Sequence, residues 1–263
     1  MVIDCHTHIY PEKIAPKVVS SIGAFYTMPM QCDGTPEGLL AAGKRGAIDK
    51  FIVFSAAQVP GQVPNINDYI AKECSKHPQF IGFGTMHPDI PNPEAEIERL
   101  ISLGLKGIKL HPDMQHFNID SDSMMKIYAM LEGRLPIVFH TGDYRYSYSH
   151  PARLARVLDA FPSLVTVAAH FGGWSMPDLA LEYFRRRACY MDVSSAIPFM
   201  GYRRAEELIS IYGAERFLFG SDYPMWDPGT ELKQLHELRL SDKDKELILY
   251  KNAEQFLGID GIA

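Results

Sequence analysis

The segment VIDCHTHI at residues 2–9 is an apolar run that ends with two histidines one residue apart. In an extended strand the side chains at positions i and i+2 point to the same face, so His6 and His8 converge on one point. Paired imidazoles at this spacing are typical of a metal site. An edge strand with two solvent-facing histidines is the alternative, and the rest of the chain distinguishes between the two.

Seven further apolar runs follow at comparable intervals. They span residues 51–56, 80–88, 107–112, 135–142, 165–172, 189–195 and 217–224. Amphipathic segments of helical character lie between them, for example at 92–104 and 150–162. Apolar strands that alternate with helices indicate a parallel sheet covered by helices, and eight such units predict a closed (β/α)₈ TIM barrel. A doubly wound open sheet would need a glycine-rich turn after the first strand, and HTHIYPEK is not one.

The predicted barrel takes up residues 1–263 as a single domain, because no linker rich in Gly, Pro or Ser divides the chain. The interval between the first two strands, residues 10–50, is longer than one helix requires. Within it, residues 21–38 are rich in Met, Phe and Tyr and predict an inserted loop. This loop either covers the top of the barrel or packs against its outside.

Composition limits the expected partners and location. The net charge is −6 and no block of Lys or Arg is present, so neither nucleic acid nor an anionic membrane is an expected partner. No secretory leader pattern and no apolar run of the roughly 20 residues needed to span a bilayer is found, which predicts a cytoplasmic protein. The four cysteines lack CxxC spacing and are expected to be reduced. A small-molecule substrate is the expected partner, and homo-oligomerisation stays open.

Functional side chains of a TIM barrel lie at the C-terminal ends of its strands. Polar residues recur at these ends, namely His6, His8, Lys109, His111, His140, His170 and Asp222. Strand alternation predicts that His140, His170 and Asp222 face the lumen. The same alternation predicts that Asp4 shares the face of the two N-terminal histidines, whereas Cys5 points toward the helices.

This set of motifs resembles the amidohydrolase superfamily of metal-dependent barrels. The features that carry the resemblance are HxH on the first strand, a histidine ending each of strands five and six, and the aspartate of FGSDYP at 219–224. The closer likeness is to the amidohydrolase-related branch, which includes decarboxylases of the aminocarboxymuconate-semialdehyde type. The resemblance implies one divalent metal, usually zinc, held by His6, His8, His140 and Asp222, with His170 beside it.

The donor set is also consistent with this chemistry on physical grounds. Three imidazoles and a carboxylate suit Zn²⁺ and leave one coordination position for water. Asp222 can both bind the metal and accept a proton from that water. His170 is expected to act as a general base or to polarise a carbonyl group. The alternatives for His170 are a ligand of a second metal and a purely structural role.

Four other residues are candidates for substrate binding: Lys109, His111, Arg145 and Trp174. The resemblance also allows a carboxylated Lys109 that bridges two metals, but one metal with a free lysine that meets a substrate carboxylate is favoured. Arginine and aromatic side chains in the loops after strands five and six fit a small, planar or carboxylated substrate. Surface packing is the alternative for each aromatic residue.

Three functions are compatible with these residues. The first is a hydrolase that uses metal-activated water on an amide, ester or lactone bond. The second is a metal-dependent, non-oxidative decarboxylase of an aromatic or unsaturated carboxylic acid. The third, a barrel with a purely structural metal, is disfavoured because structural zinc sites are closed. The modest chain length leaves little room for the long insertions of the decarboxylases and favours the hydrolase.

Overall fold

The computed structural model describes residues 1–258 of the chain. Within these residues the chain forms short parallel strands around a closed barrel. They are β1 Ile3–His8, β2 Lys50–Phe54, β3 Phe80–Gly82, β4 Gly84–Thr85, β5 Ile108–Leu110, β6 Ile137–Phe139, β7 Thr166–Ala168, β8 Tyr190–Asp192 and β9 Phe217–Leu218. Only Phe83 separates β3 from β4, and the two together form the third strand of the barrel. All eight predicted strand positions are therefore confirmed.

Helices connect the strands. They are α1 Ala15–Tyr26, α2 Pro36–Gly46, α3 Val63–Lys76, α4 Pro93–Ser102, α5 Pro112–Gln115, α6 Asp122–Leu131, α7 Pro151–Ala160, α8 Pro177–Phe184, α9 Ile197–Met200, α10 Tyr202–Tyr212, α11 Pro228–Glu237, α12 Asp242–Glu246 and α13 Asn252–Leu257, with 3₁₀ turns at Pro60–Gln62 and Ala214–Arg216 and a π-helical turn at Leu247–Lys251. The helices predicted within 92–104 and 150–162 correspond to α4 and α7. Among the residues described, no helix is both long and apolar enough to cross a membrane.

Backbone hydrogen bonds close the barrel. The strands pair in the orders β1-β2-β3 and β4-β5-β6-β7-β8-β9. The Phe83 N–H donates to the Val53 carbonyl at 3.0 Å and continues the pairing beyond β3. The seam between the last and first strands is held by Cys5 N–H to Phe219 O at 2.8 Å and His8 N–H to Tyr223 O at 2.7 Å. The architecture is the predicted (β/α)₈ barrel.

The apolar core has two layers. The outer layer lies between strands and helices and includes Phe51, Val53 and Phe139. The inner layer fills the lower lumen and is formed by Cys5, Ile52, Phe54, Val138, Val167 and Leu218, among others. The two sets alternate along β2 and β6, as side chains on opposite faces of a strand must.

A bulge in β1 shifts this alternation. Asp4 pairs with Phe51 and Thr7 with Val53, so three steps along β1 match two along β2. Cys5 therefore belongs to the inner layer, and Asp4 is in register with the outward-facing Phe51. The predicted orientations of Asp4 and Cys5 were wrong because the prediction assumed a regular strand. The His6 and His8 rings still approach each other, with centroids 5.4 Å apart.

The loop predicted at residues 21–38 is partly helical. Helix α1 continues through its first six residues and ends at Thr27, whose φ of 55° is left-handed. Helix α2 begins at Pro36, where the Thr35 hydroxyl accepts the Gly38 N–H and caps the helix. Only the connection between these helices is irregular, and α1 contributes a wall of the cavity described below.

Candidate metal centre and active site

The first and last strands bring three predicted metal ligands together. Asp222 Oδ1 lies 3.4 Å from His6 Nε2 and 3.5 Å from His8 Nε2. The Asp222 N–H donates to the His6 carbonyl at 2.8 Å, which fixes the two backbones side by side. At Gly220 an added Cβ would lie 2.9 Å from the His6 Cβ, so a side chain there would collide with the site.

Asp192 at the end of β8 orients His6. Its Oδ2 lies 2.8 Å from His6 Nδ1 in a fully buried environment. Burial and the nearby Lys109 lower the pKa of His6 to about 4, so the ring is neutral and donates its Nδ1 proton to Asp192. The lone pair of Nε2 is then free to accept a hydrogen bond from Lys109 Nζ at 3.0 Å or to bind a cation. A carboxylate that accepts the second ring proton is the usual outer partner of a metal-binding histidine.

The second oxygen of Asp192 organises the opposite side of the site. Asp192 Oδ1 accepts the His170 N–H at 3.0 Å and the Ser194 N–H at 3.1 Å. Burial opposes ionisation, but the neighbouring His6 and His170 imidazoles hold the pKa of Asp192 well below its usual value. We did not select Asp192 or Ser194 from the sequence. The available signal was their position in CYMDVSS, because this run ends at the same rim as the other polar residues.

The three-residue group fits a divalent cation. His6, His8 and Asp222 each offer one ligand atom, and these atoms lie within 4.8 Å of one another. Burial raises the pKa of Asp222, but the neighbouring His6 and His8 imidazoles hold it well below its usual value, so the carboxylate is charged. Two neutral imidazoles and one carboxylate suit zinc and related transition metals.

Lys109 lies beside the group in the lumen. Its Nζ is 3.0 Å from His6 Nε2 and 5.0 Å from the centroid of the Phe54 ring, and the residue is fully buried. Burial lowers the pKa of Lys109 to about 8, and the carboxylates of Asp222 and Asp192 limit this decrease. The amino group of Lys109 thus lies between the His6 ring and the face of Phe54, and it does not line the cavity.

His140 is placed next to these ligands but outside their group. Its ring stacks on His111 with centroids 4.0 Å apart, and its Nε2 lies 3.7 Å from Asp113 Oδ2. Neither of these two atoms has a hydrogen-bond partner within residues 1–258. His111 is satisfied by Tyr26, whose hydroxyl lies 2.8 Å from His111 Nε2. Tyr26, on α1, was not selected from the sequence.

His170 joins the two halves of the site. Its Nε2 lies 3.1 Å from His140 Nδ1, and its Nδ1 lies 2.9 Å from Ser194 Oγ. Its φ of 59° is left-handed, so the residue lies beyond the regular strand β7. A turn with two successive left-handed residues, His170 and Phe171, therefore places this ring, and strand alternation does not.

A cavity of about 550 Å³ opens above the group. His8, His111, His140 and Asp222 line its polar end. Much of the remaining wall is apolar and comes from α1, α3, α5 and the adjoining loops, with Ile14, Val18, Ile22, Ile66, Met114 and Met225. An apolar pocket with convergent polar groups at one end is the usual form of a small-molecule site.

Arg145 and Trp174 lie outside the residues that line this cavity. The Arg145 guanidinium pairs with Asp143 at 2.6 Å and donates to the Phe25 carbonyl near the end of α1. The Trp174 ring packs on Tyr26 with centroids 4.9 Å apart. Both side chains thus contact the C-terminal end of α1 without lining the cavity, and their predicted contact with substrate stays a prediction.

Comparisons with known proteins agree with the fold. An uncharacterised TIM-barrel protein from Bordetella bronchiseptica is 17% identical, with a TM-score of 0.80 and 98% of each chain covered. A 5-carboxyvanillate decarboxylase from Novosphingobium aromaticivorans, in complex with manganese and 4-hydroxy-3-methoxy-5-nitrobenzoic acid, is 18% identical, with a TM-score of 0.80 and coverage of 98% of this chain and 96% of that one. A 2,6-dihydroxybenzoate decarboxylase from Rhizobium is 16% identical, with a TM-score of 0.72 and 99% of each chain covered.

At these identities the likeness extends to the TIM-barrel fold alone. A search of curated proteins found no match. The sequence profile of the family described as Amidohydrolase matches residues 3–259, nearly the whole chain. The chain therefore belongs to the amidohydrolase family.

Proposed function

We propose that this protein is a metal-dependent, non-oxidative decarboxylase of a small aromatic or unsaturated carboxylic acid. The observation that carries the proposal is the position of the His6, His8 and Asp222 group at the polar end of a largely apolar cavity. A carboxylate at that end and a flat apolar body along α1 would match the two halves of the cavity. The decarboxylases among the structural neighbours support the same function.

One divalent ion is proposed for the group. His6, His8 and Asp222 would hold it, and His140, on the adjoining wall, is the expected fourth ligand. Three imidazoles and a carboxylate are typical of zinc, whereas manganese is bound by the carboxyvanillate decarboxylase. When bound, the ion would anchor substrate oxygen atoms and withdraw electron density from them. An unmodified Lys109 would add positive charge beneath the same group.

The proposed reaction moves one proton and breaks one bond. The bond between the carboxyl carbon and the substrate carbon breaks, its electron pair stays on the substrate carbon, and CO₂ leaves. That carbon then takes a proton from His170. A proton taken up from solvent would then restore His170, whose Nε2 lies 3.1 Å from His140 Nδ1. The apolar walls keep water away from the carboxylate, and Asp222 contributes as a ligand.

Hydrolysis of an amide, ester or lactone is the second candidate and was the first choice from the sequence alone. The observation in its favour is the charged Asp222 beside the two histidines, where a carboxylate can accept a proton from water. The decarboxylase is preferred because several structural neighbours over the whole chain carry that activity by name. The argument from chain length loses force, because this chain covers 96–99% of the length of these decarboxylases.

The experiment that separates the two functions follows the products. The protein loaded with Mn²⁺ or Zn²⁺ is incubated in H₂¹⁸O with hydroxylated benzoates, including 2,6-dihydroxybenzoate and 5-carboxyvanillate, and with aryl esters and lactones. We expect metal-dependent CO₂ release from at least one acid, without ¹⁸O in the remaining product. Incorporation of ¹⁸O into the acid formed from an ester or lactone, without CO₂ release from any acid, would establish the hydrolase.

A further inference from the structure

The two oxygens of the Asp222 carboxylate have different surroundings. Oδ1 faces His6 Nε2 and His8 Nε2 at 3.4 and 3.5 Å. Oδ2 points away from them and accepts a hydrogen bond from the Ser195 hydroxyl at 2.6 Å. Rotation of the carboxylate about its axis would break this short bond, so the two oxygens are not equivalent.

A second hydrogen bond fixes the direction of the first. Trp226 Nε1 lies 2.9 Å from Ser195 Oγ. An indole N–H can only donate, so it takes a lone pair of the serine oxygen. The serine proton is therefore free to point at Asp222 Oδ2, and the chain of donors runs from Trp226 through Ser195 to Asp222. The Ser195 side chain is fully buried, so water has little access to the serine end of this bond.

The backbone of Ser195 is held in a costly conformation. Its φ of 54° is left-handed, a region that glycine enters freely and that costs other residues roughly 1–2 kcal/mol. Ser195 comes three residues after β8, where the chain turns toward α9. A glycine would remove the strain at this position, but it would also remove the hydroxyl that Asp222 uses.

We propose that Ser195 and Trp226 form a positioning pair for Asp222. The pair holds Oδ2 and leaves Oδ1 as the atom that is presented to a divalent ion between His6 and His8. This inference rests on the metal centre of the proposed function. Neither residue touches the ion or the substrate in this arrangement, and both act through the aspartate.

The test uses two substitutions of Ser195 that differ in their effect on the backbone. Ser195→Ala and Ser195→Gly both remove the hydroxyl, but only the glycine relieves the left-handed backbone. We expect Mn²⁺ affinity to fall in both variants by about 10-fold to 100-fold, the usual effect of losing such an outer partner. The free energy of unfolding in urea should be at least as high for Ser195→Gly as for Ser195→Ala. Free Mn²⁺ is measured by its electron paramagnetic resonance signal during titration of the metal-free protein.

The role of Trp226 is tested by comparing Trp226→Phe with Ser195→Ala and with the double variant. Trp226→Phe should weaken Mn²⁺ binding less than Ser195→Ala, and the double variant should bind no more weakly than Ser195→Ala alone, because both act through one oxygen. Phe199→Ala is the matched control. The Phe199 ring packs 6.1 Å from the Trp226 ring without a hydrogen bond, so its loss tests packing alone and should leave the affinity unchanged.

The outcomes distinguish this inference from the proposed function. If the unmodified protein fails to bind Mn²⁺ and Zn²⁺, the metal centre itself is wrong. If it binds Mn²⁺ but Ser195→Gly and Ser195→Ala bind Mn²⁺ as tightly as the unmodified protein does, the positioning pair is overturned. Additive losses in the double variant, or an equal loss in Phe199→Ala, would also overturn it.

Discussion

The His170 side chain connects the hydrogen-bond network around His140 with the network around Asp192 and Ser194. One ring nitrogen faces His140 and the other faces Ser194. Its backbone N–H is fixed by Asp192, so the ring is held from three directions. This arrangement fixes the His170 ring behind His140, which lines the cavity, and the proposed function uses His170 as the proton donor.

Replacement of His170 by Asn tests that role. His170→Asn keeps a polar side chain of smaller size and leaves His6, His8 and Asp222 intact. We expect metal content to be retained and kcat on the best substrate of the panel to fall by about 10²-fold to 10⁴-fold, the usual contribution of a general acid or base. Metal content is measured by mass spectrometry and rates by CO₂ release.

His116→Asn is the matched control for this variant. His116 is exposed, has a left-handed φ that Asn tolerates, and lies outside the site. Its kcat should match that of the unmodified protein. Loss of metal together with activity in His170→Asn would instead make His170 a ligand.

The sequence predicts which polar residues lie together at the strand ends, but it does not predict the residues that orient them. His6, His8 and Asp222 were found because strand ends carry the chemistry of a barrel, and they lie together as expected. Asp192 and Ser195 were missed because a carboxylate or hydroxyl that orients another side chain leaves no periodic signal. The orientation of Asp4 was predicted incorrectly because one bulge reverses the face of every residue on one side of it.

At the scale of elements, strand positions were predictable and loop architecture was not. Eight apolar runs gave eight barrel positions, since a buried parallel strand must be apolar on both faces. Residues 21–26 were predicted as part of an inserted loop because the segment 21–38 is rich in Met, Phe and Tyr, but they belong to helix α1. Their helical state depends on packing: Phe25 and Tyr26 contact Arg145, Tyr146 and Trp174, which are distant in sequence.

Arg145 is expected to hold α1 over the cavity. Its guanidinium joins Asp143 to the Phe25 carbonyl and lies 4.7 Å from the centre of the Phe25 ring. Arg145→Met keeps the aliphatic stem but loses the charge and the hydrogen bonds. We expect faster hydrogen exchange in residues 15–26, because the end of the helix loses its anchor.

Arg187→Met is the control for this prediction. Arg187 likewise pairs with an aspartate, Asp159, and donates to the carbonyl of Tyr183. These partners belong to α7 and α8, so Arg187 does not contact α1. Exchange in residues 15–26 should not change in this variant. Equal exchange in both variants would show that Arg145 does not anchor α1.

Helix α11 carries a buried carboxyl group that should make stability depend on pH. Burial raises the pKa of Glu231 to about 8. The nearby Asp222 and Asp4 carboxylates raise this pKa further, whereas a hydrogen bond from the Ser195 N–H lowers it. The folded state then holds this proton more tightly than the unfolded state, where the ordinary pKa of Glu applies. The stabilisation is complete below the unfolded pKa and is lost as the pH rises toward 8, by at most about 1.4 kcal/mol per pH unit.

Glu231→Gln should remove this contribution. The free energy of unfolding in urea, measured with chelator at several pH values between 5 and 9, should fall less steeply with pH than in the unmodified protein. Glu237→Gln, on the exposed side of the same helix, should follow the unmodified protein. Parallel curves for Glu231→Gln and the unmodified protein would contradict the buried, protonated state.

For the whole molecule, a bound metal should stabilise the fold by joining the first and last strands of the barrel. His6 and His8 belong to the first strand and Asp222 follows the last, so one ion would join both edges of the seam. Binding only to the folded state stabilises by about 2.7 kcal/mol at a metal concentration 100 times Kd. At roughly 2–4 °C per kcal/mol for a chain of this size, Tm should rise by several degrees.

The variant with both His6 and His8 changed to Ala is the control for this prediction. It should show no rise in Tm with added Mn²⁺ or Zn²⁺, and its metal content should be close to zero. Calorimetric scans with and without metal measure the effect. A full, metal-dependent rise in this double variant would place the ion elsewhere.

The seam also determines when during biosynthesis a metal can be captured. The ribosome releases His6 and His8 more than 200 residues before Asp222, and the early chain therefore lacks the carboxylate of the proposed site. An emerging chain therefore cannot retain the ion until its last strand has left the exit tunnel and docked beside its first. Metal binding is then a late step in maturation, because it requires a closed barrel.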